Sequence, residues 1–255
     1  MRLQGKTALI TGASRNLGKA TALAFAREGA DLILNTRTNQ DELDAVAAEC
    51  RELGVQALPV LADVSDADQV ARMVEQGLQH FGKIDVLVSN AAIRPHKAIT
   101  EVSIEEWHHV MSVNLNAPFY LCKAVVPPMI QQGSGSIITL GGMSSMSGRP
   151  NTVAVTAAKT GLLGLTRALA AELGPLGIRV NMVVPGSMDT ERRYADWYPE
   201  FQQTAANAPD RLKRIPLGRQ GRPEEVAHTC VFLASDESSY ITGDRILCMG
   251  GSFIG

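Results

Sequence analysis

The feature that most constrains the fold of this chain is a turn near the N-terminus, Thr11–Gly18, with glycine at its second and last positions. An apolar run typical of a buried parallel strand, Lys6–Ile10, precedes the turn, and helix formers with apolar residues at helical spacing follow it. Gly12 allows the backbone to turn sharply, and Gly18 allows the helix to pack closely on the sheet. The free N–H groups at the helix start form an anion site, and the strand–turn–helix order predicts that the anion is a pyrophosphate.

Strand-like and helix-like patterns alternate along the rest of the chain. This alternation predicts a Rossmann-type, doubly wound parallel α/β sheet of about seven strands with helices on both faces. With 255 residues and no internal repeat or linker-like stretch, residues 1–255 are expected to form a single domain. The predicted strands are Lys6–Ile10, Asp31–Thr36, Gln56–Leu61, Ile84–Ser89, Ser136–Leu140, Ile178–Val184 and Arg245–Met249.

Two capping patterns locate helix starts. Ser65 begins an approximate capping box, Ser-x-x-Asp, for a helix to Phe81, and Ser103 begins a full one, Ser-x-x-Glu, for a long helix to about Tyr120. Prolines expected to kink or break the chain in this second region are Pro118, Pro127 and Pro128. Further helices are predicted at Asp41–Leu53, Thr152–Leu173 and Pro223–Ala234.

The composition argues against several classes of function. A net charge of −2 does not indicate nucleic acid or an anionic membrane as a partner, and no apolar run approaches the ~20 residues that span a bilayer. The N-terminus lacks a signal-peptide layout and the four cysteines form no Cys-x-x-Cys pair, so a cytoplasmic protein with reduced thiols is expected. No metal site is expected either, since the adjacent His108 and His109 point in different directions on a helix.

Four motifs follow one another in order, each at the end of a predicted strand: Thr11–Gly18, Asp63-Val64, Ser89–Ala92, and Pro185-Gly186 with Thr190. Together they resemble the short-chain dehydrogenase/reductase family, and within it the 3-oxoacyl-carrier-protein reductases, over nearly the whole chain. The resemblance implies a dinucleotide cofactor held by Gly12, Ser14, Arg15, Asn16, Leu17, Gly18, Arg37, Asp63, Val64, Asn90, Ala91, Lys159, Pro185, Gly186 and Thr190. Asn16 stands where the family has its middle glycine, and asparagine is the non-glycine residue that best tolerates a left-handed backbone.

The end of the second strand indicates which dinucleotide is bound. A carboxylate there would hydrogen-bond the ribose 2′-hydroxyl of NAD, but this chain has no acid between Asn35 and Asp41. Arg15 and Arg37 could instead reach a 2′-phosphate, a group that guanidinium suits. The alternative is that Arg37 is a solvated loop residue. NADP is therefore predicted over NAD.

The resemblance also implies a catalytic set, of which this chain retains only part. The family uses Tyr-x-x-x-Lys on one helix, a serine thirteen residues before the tyrosine, and an asparagine on the preceding helix. Lys159 and Asn114 match the lysine and the asparagine, whereas Val155 occupies the tyrosine position and Gly142 the serine position. Both hydroxyl groups that would contact the substrate oxygen are therefore absent, which predicts an atypical active site.

Other groups could supply the missing proton donor. Ser144 or Ser145 could take the place of the serine if the loop differs in length, and His96, which follows Asn90-Ala91-Ala92 together with Arg94, is a competent acid near neutral pH. His96 and Arg94 could equally be solvated loop residues. Lys159 itself could donate or relay a proton through water, and Tyr194 and Tyr198 lie in a loop that could close over the site.

Three functions remain open from the sequence. The first is an atypical NADP-dependent oxidoreductase acting on a small carbonyl or alcohol substrate. The second is a hydrolase, lyase or isomerase on the same fold, and the third is a non-catalytic cofactor-binding subunit or sensor. Residues from about 187 to 221, which are polar, are expected to form a substrate lid. The resemblance further implies a homotetramer in which the helices near 103–120 and 152–173 meet, with small residues such as Ala157, Ala158, Gly161 and Gly164 allowing close approach.

Overall fold

A parallel sheet of seven strands, in the order β3-β2-β1-β4-β5-β6-β7, forms the centre of the computed structural model, which describes residues 1–191 and 212–253. The strands are β1 Thr7–Thr11, β2 Asp31–Thr36, β3 Ala57–Leu61, β4 Val86–Ser89, β5 Gly135–Leu140, β6 Ile178–Pro185 and β7 Arg245–Cys248. The α-helices are α1 Asn16–Arg27, α2 Gln40–Glu52, α3 Ala67–Phe81, α4 Ile104–Met111, α5 Ala117–Gln132, α6 Val153–Leu173 and α7 Pro223–Ala234. The predicted doubly wound α/β sheet is confirmed.

Alternating side chains of each strand enter two apolar layers, one on either face of the sheet. In β1, Ala8 and Ile10 belong to the layer with α1, α2 and α7, whereas Leu9 belongs to the layer with α3 and α5. In β2, Leu34 and Ile33 divide in the same way. Because both faces are covered by helices, the central residues of these strands, Ala8–Ile10 and Leu32–Leu34, are buried and apolar in succession.

The start of α3 differs from the prediction. Asp66, not Ser65, caps the helix, because its carboxylate accepts hydrogen bonds from the backbone N–H groups of Asp68 and Gln69 at 2.9 and 3.0 Å. The Ser65 hydroxyl instead donates to Asp63 at 2.6 Å. Aspartate and serine are comparable caps, so the pattern alone did not separate the two positions. The capping box at Ser103 is present as predicted.

The predicted long helix ending near Tyr120 is also corrected. A π-helical turn, Ser112–Asn116, joins α4 to α5, and α5 continues through Pro127 and Pro128 to Gln132. Each proline removes a backbone hydrogen bond, but the burial of α5 side chains against the sheet outweighs this loss. The helix ends before Gly133, whose φ of +69° suits the left-handed end of a helix.

The two ends of the segment predicted as a lid are joined by backbone hydrogen bonds. The backbone N–H of Asp189 donates to the carbonyl of Gly221 at 2.8 Å, and that of Gly221 donates to Ser187 at 3.0 Å. Tyr194 and Tyr198 lie outside the described residues. Within the described ranges no helix combines the length and apolarity needed to cross a membrane, and all four cysteines are free thiols.

Candidate active site

A cavity of about 690 Å³ opens at the carboxyl ends of the strands, where doubly wound sheets bind ligands. Its lining includes all of the residues for which a cofactor contact was predicted: Gly12, Ser14, Arg15, Asn16, Leu17, Gly18, Arg37, Asp63, Val64, Asn90, Ala91, Lys159, Pro185, Gly186 and Thr190. His96 and Ser144 also line it, whereas Asn114 does not. The topology thus brings residues that are far apart in the chain to one cavity.

The turn after β1 is packed too closely for side chains at its glycines. A Cβ on Gly18 would lie 2.0 Å from the carbonyl oxygen of Gly12, and Gly12 itself has a φ of +63°. Asn90 holds the turn from the neighbouring strand, because its Nδ2 donates to the carbonyls of Thr11 and Gly12 at 2.8 and 3.1 Å. The glycines therefore allow helix α1 to begin directly beside the end of β1.

The N-terminus of α1 is open toward the cavity. Arg15 precedes the helix without a side-chain cap, and the first turn contains no acidic residue. Its unpaired backbone N–H groups and its dipole therefore present positive charge at the cavity wall, as a pyrophosphate requires. This arrangement, with glycine where the backbone must be bare, fits a dinucleotide.

Asn16 adopts a left-handed backbone with φ of +50°, as its position in the turn suggested. Its side chain also makes a contact that the sequence did not reveal. Nδ2 donates to the carbonyl of Glu191 at 3.0 Å, and Oδ1 accepts from the N–H of Glu191 at 3.0 Å. A glycine could keep the turn but not this link to Glu191.

The end of β2 carries no carboxylate among the described lining residues. Asn35 is buried and its Nδ2 donates to the carbonyls of Val60 and Ala62, so it serves the packing of β2 on β3. Arg37 is exposed at the cavity edge, and its guanidinium has no hydrogen bond or ion pair with the described residues. The charge at this end of the cavity therefore suits an added phosphate.

Lys159 is the buried cation of the site. Its Nζ donates to the carbonyl of Leu140 at 2.6 Å, and the residue is only 5% exposed. Burial lowers the pKa of Lys159 to about 7, and the positive charge of Arg94 contributes to the shift. An ammonium group with such a pKa can give up a proton at neutral pH.

At the two positions where the family has hydroxyl-bearing side chains, this chain has valine and glycine. Val155 is 3% exposed and lines the cavity one helical turn before Lys159. Gly142 has a φ of +155° and ψ of 170°, a conformation essentially restricted to glycine. Of the two alternative serines, Ser144 lines the cavity, whereas the hydroxyl of Ser145 donates to the carbonyl of Gly142 at 2.7 Å.

Asn114 lies in the π-helical turn and is fully buried. Its Oδ1 accepts from the N–H of Ile93 at 2.9 Å, and its Nδ2 donates to the Ile93 carbonyl at 2.8 Å. Both polar atoms of the carboxamide are thereby engaged with the loop after β4. The side chain of Asn114 thus positions the residues that follow Ile93 and does not reach into the cavity.

Sequence reasoning missed two basic residues of the lining, Arg149 and His109. His109 lies four residues before Val113, another lining residue, and this helical spacing is the signal that could have identified it. Arg149 belongs to the loop after β5, which meets the loop after β4 where the N–H of Lys97 donates to the carbonyl of Asn151 at 2.9 Å. No group of three potential metal ligands is found in the described part of the chain.

The geometry agrees with comparisons to known proteins. A family model described as enoyl-(acyl carrier protein) reductase matches residues 12–252. The chain is 42% identical to a 3-oxoacyl-[acyl-carrier-protein] reductase of Thermotoga maritima, over 100% of both chains. It is also similar to the structure of a short-chain type dehydrogenase/reductase of Mycobacterium marinum, with 37% identity, a TM-score of 0.90, and 99% and 97% of the two chains covered.

A further solved structure, from Beutenbergia cavernae, contains NADP at low occupancy. It is assigned as an NAD(P)-dependent gluconate 5-dehydrogenase, and it is 37% identical to this chain with a TM-score of 0.90. The similarity covers 98% of this chain and 97% of that one. The similarity to these structures therefore extends over nearly the whole chain.

Proposed function

The chain belongs to the short-chain dehydrogenase/reductase family, and from this membership we propose that it is an atypical NADP(H)-dependent oxidoreductase of a small carbonyl or alcohol substrate. One observation carries the proposal: the residues predicted to bind a dinucleotide line the same cavity as Lys159, a buried ammonium group of pKa about 7. The former support cofactor binding, and Lys159 supports the proton transfer that accompanies hydride transfer to a carbonyl.

The residues that would hold the cofactor divide by chemistry. The helix start at Arg15–Gly18 would face the pyrophosphate, and Asp63 and Val64 would contact the adenine. Pro185, Gly186 and Thr190 would hold the nicotinamide end. Arg37 favours the 2′-phosphate of NADP, and the NADP found in the Beutenbergia structure agrees with this preference. The cofactor supplies or accepts the hydride.

Lys159 takes the role that a tyrosine has elsewhere in the family. During reduction, hydride adds to the carbonyl carbon and the oxygen becomes an alkoxide, which takes a proton from the Lys159 ammonium directly or through one water. Solvent then returns a proton to the amine. His96 and Ser144 line the same cavity and serve as hydrogen-bond partners of the substrate.

The names of the relatives suggest the first substrates to assay. One relative is named as a reductase of 3-oxoacyl groups and another is assigned to gluconate oxidation. The assay panel should therefore include 3-oxoacyl thioesters, sugar acids and simple ketones. NADPH and NADH should both be supplied, since the cofactor preference is part of the proposal.

Three variants test the proposal. Wild type should bind NADPH, observed by the change in nicotinamide fluorescence, and should reduce at least one substrate. Lys159→Met should lower kcat by about 100-fold or more, because the acid is lost, while NADPH binding remains measurable. Val155→Tyr should raise activity relative to Val155→Phe, which adds the same ring without the hydroxyl.

Two results would overturn the proposal. Failure of the wild-type protein to bind either dinucleotide would exclude an oxidoreductase, and full activity of Lys159→Met would exclude lysine as the acid. In the latter case His96→Ala would show whether histidine donates the proton. Gly142→Ser is a poor test, because the glycine backbone conformation opposes a side chain at this position.

The protein is also proposed to be a homotetramer formed through α4, α5 and α6. Ala158 is fully buried and Gly161 packs against Leu115, so these two small residues serve packing within the chain. Gly164 has open space above it, and Phe119 on α5 is 47% exposed. Light scattering on Phe119→Glu should show a smaller species than wild type; identical masses would exclude this helix face as an interface.

A further inference from the structure

We infer that the substrate carries an anionic group, a carboxylate or a phosphate, which Arg94 and Arg149 bind at the substrate end of the cavity. The inference rests on the proposed function, because it concerns the substrate of the same site. Three observations support it: the charges that line the cavity, the lack of a partner for either guanidinium group among the described residues, and the hydrogen bonds that join the two loops.

The substrate end of the cavity is strongly basic. The residues that can carry positive charge there are Arg94, His96, His109, Arg149 and Lys159. In the described part of the chain the acidic lining residues are Asp63 and Glu191. Asp63 accepts hydrogen bonds from the N–H and hydroxyl of Ser65, and Glu191 stands at the start of the lid beside Asn16. Since the chain as a whole has a net charge of −2, this basic end does not reflect overall composition.

Among the described residues, Arg94 and Arg149 resemble Arg37 in having no side-chain partner, whereas some other arginines are paired. The guanidinium of Arg2 pairs with Glu28 at 2.7 Å and that of Arg219 pairs with Glu225 at 2.7 Å. Neither Arg94 nor Arg149 has a side-chain hydrogen bond or an ion pair in the described ranges, although both border one cavity. A guanidinium group offers several donors in a planar fork that matches carboxylate and phosphate oxygens.

The loops that carry the two arginines are fixed to each other and to the core. The N–H of Lys97 donates to the carbonyl of Asn151 at 2.9 Å, which joins the loop of Arg94 to the loop of Arg149. Ile93, directly before Arg94, is held on both backbone groups by Asn114. The carbonyl of Arg149 accepts from the hydroxyl of Thr152 at 2.8 Å. Such anchoring lowers the entropic cost of directing both side chains at one ligand group.

A bound anion would also act on Lys159. The charge of Arg94 contributes to the low pKa of Lys159, so an anion that offsets this charge raises that pKa and favours the ammonium form that donates the proton. Substrates with the anionic group should therefore be favoured in the chemical step as well as in binding.

Two kinetic comparisons test the inference. For 3-oxo and hydroxy acids against their methyl esters, wild type should prefer the acid by about 100-fold in kcat/KM. Arg94→Met and Arg149→Met should each reduce the preference for the acid over the ester, the ratio of the two kcat/KM values, by about tenfold. Arg72→Met, which removes the same charge from an exposed position on α3 away from the cavity, should behave as wild type.

A binding measurement distinguishes failure of this inference from failure of the proposed function. Butanoate, butyl phosphate and the neutral butanamide are titrated calorimetrically into NADP⁺-saturated protein, or into cofactor-free protein if NADP⁺ does not bind. The two anions should bind more tightly than butanamide, and only the anions should lose affinity in the Arg94→Met/Arg149→Met double variant. The tighter anion identifies the group.

Two outcomes would overturn the inference, whether or not the protein proves to be an oxidoreductase. The first is equal binding of the anions and butanamide. The second is unchanged anion affinity in the double variant. Conversely, anion binding that needs both arginines, in a protein that reduces no carbonyl, would uphold the anion site and overturn the oxidoreductase proposal alone.

Discussion

The carboxamide of Asn16 and the backbone of Glu191 form a reciprocal pair of hydrogen bonds, each 3.0 Å long, between the turn after β1 and the segment after β6. A carboxamide has the same donor and acceptor as a peptide group, so the pair resembles one rung of a β-ladder. Asn16, at the position where the family has a glycine, thus ties two separate loops together by hydrogen bonds. This tie lies at the edge of the proposed pyrophosphate site.

Removing the tie should weaken cofactor binding. Asn16→Gly keeps the left-handed backbone but loses both hydrogen bonds, which we expect to be worth about 1 kcal/mol, or roughly a fivefold faster release of NADPH. Stopped-flow fluorescence measures this rate. Asn16→Asp keeps the acceptor but adds a carboxylate beside the proposed pyrophosphate, so it should release NADPH faster than Asn16→Gly; equal release from all three proteins would contradict the expectation.

Cofactor preference should depend on Arg37. Arg37→Ala removes the guanidinium from the end of β2 and should raise the Kd for NADPH by about tenfold, with little change for NADH. Fluorescence titration with both nucleotides provides the measurement, and Arg72→Ala is the control for loss of one exposed positive charge. If both arginine variants change NADPH binding equally, Arg37 has no specific contact with the 2′-phosphate.

The pH dependence of stability should report the buried Lys159. Its pKa falls from 10.5 in the unfolded chain to about 7 in the folded, cofactor-free protein. Between these values the unfolded chain binds a proton that the folded protein lacks, so this group makes the free energy of unfolding rise with pH.

Lys159→Met lacks this titration, whereas all other groups are common to both proteins. The difference in unfolding free energy, wild type minus variant, should therefore increase by on the order of 3 kcal/mol from pH 7 to pH 10. Urea unfolding at several pH values measures it. A difference that is independent of pH would mean that Lys159 keeps an ordinary pKa.

Asn114 should be important for stability. Asn114→Ala removes a fully buried side chain and leaves the partly buried N–H and carbonyl of Ile93 without their partner, and we expect a loss of about 2 kcal/mol in the free energy of unfolding. Asn116→Ala, an exposed asparagine in the same π-helical turn, should cost less than about 0.5 kcal/mol. Equal stability of the two variants would show that the contact with Ile93 contributes nothing.

The sequence predicted the elements whose determinants are local. Short apolar runs, separated by helix-like patterns, identified all seven strands. The glycines of Thr11–Gly18 identified the turn that borders the cavity. Helix boundaries were less certain, because capping at Ser65 or Asp66 depends on small energetic differences. The passage of α5 through Pro127 and Pro128 could not be predicted, since it depends on packing between elements distant in the chain.

The candidate site likewise has residues that the sequence predicted and residues that it did not. The predicted cofactor contacts follow from motifs at strand ends, and the residues of these motifs line one cavity in the structure. Arg149 and His109 carry no motif; they reach the cavity because the loop after β5 and helix α4 fold over it. The link between Asn16 and Glu191 spans 175 positions, and no periodicity in the sequence reports a contact of that kind.

The construction of the cavity has a consequence for how this chain could acquire new chemistry. Around the proposed pyrophosphate, part of the wall consists of main-chain N–H groups and glycines, whose arrangement depends on the fold itself. Around the substrate, it consists of side chains such as Val155 and Arg94, which vary by point substitution. Point substitutions around the substrate can therefore change the reaction or the substrate without disturbing the proposed nucleotide site. An engineer could likewise redesign the substrate-binding part of the cavity and keep the rest unchanged.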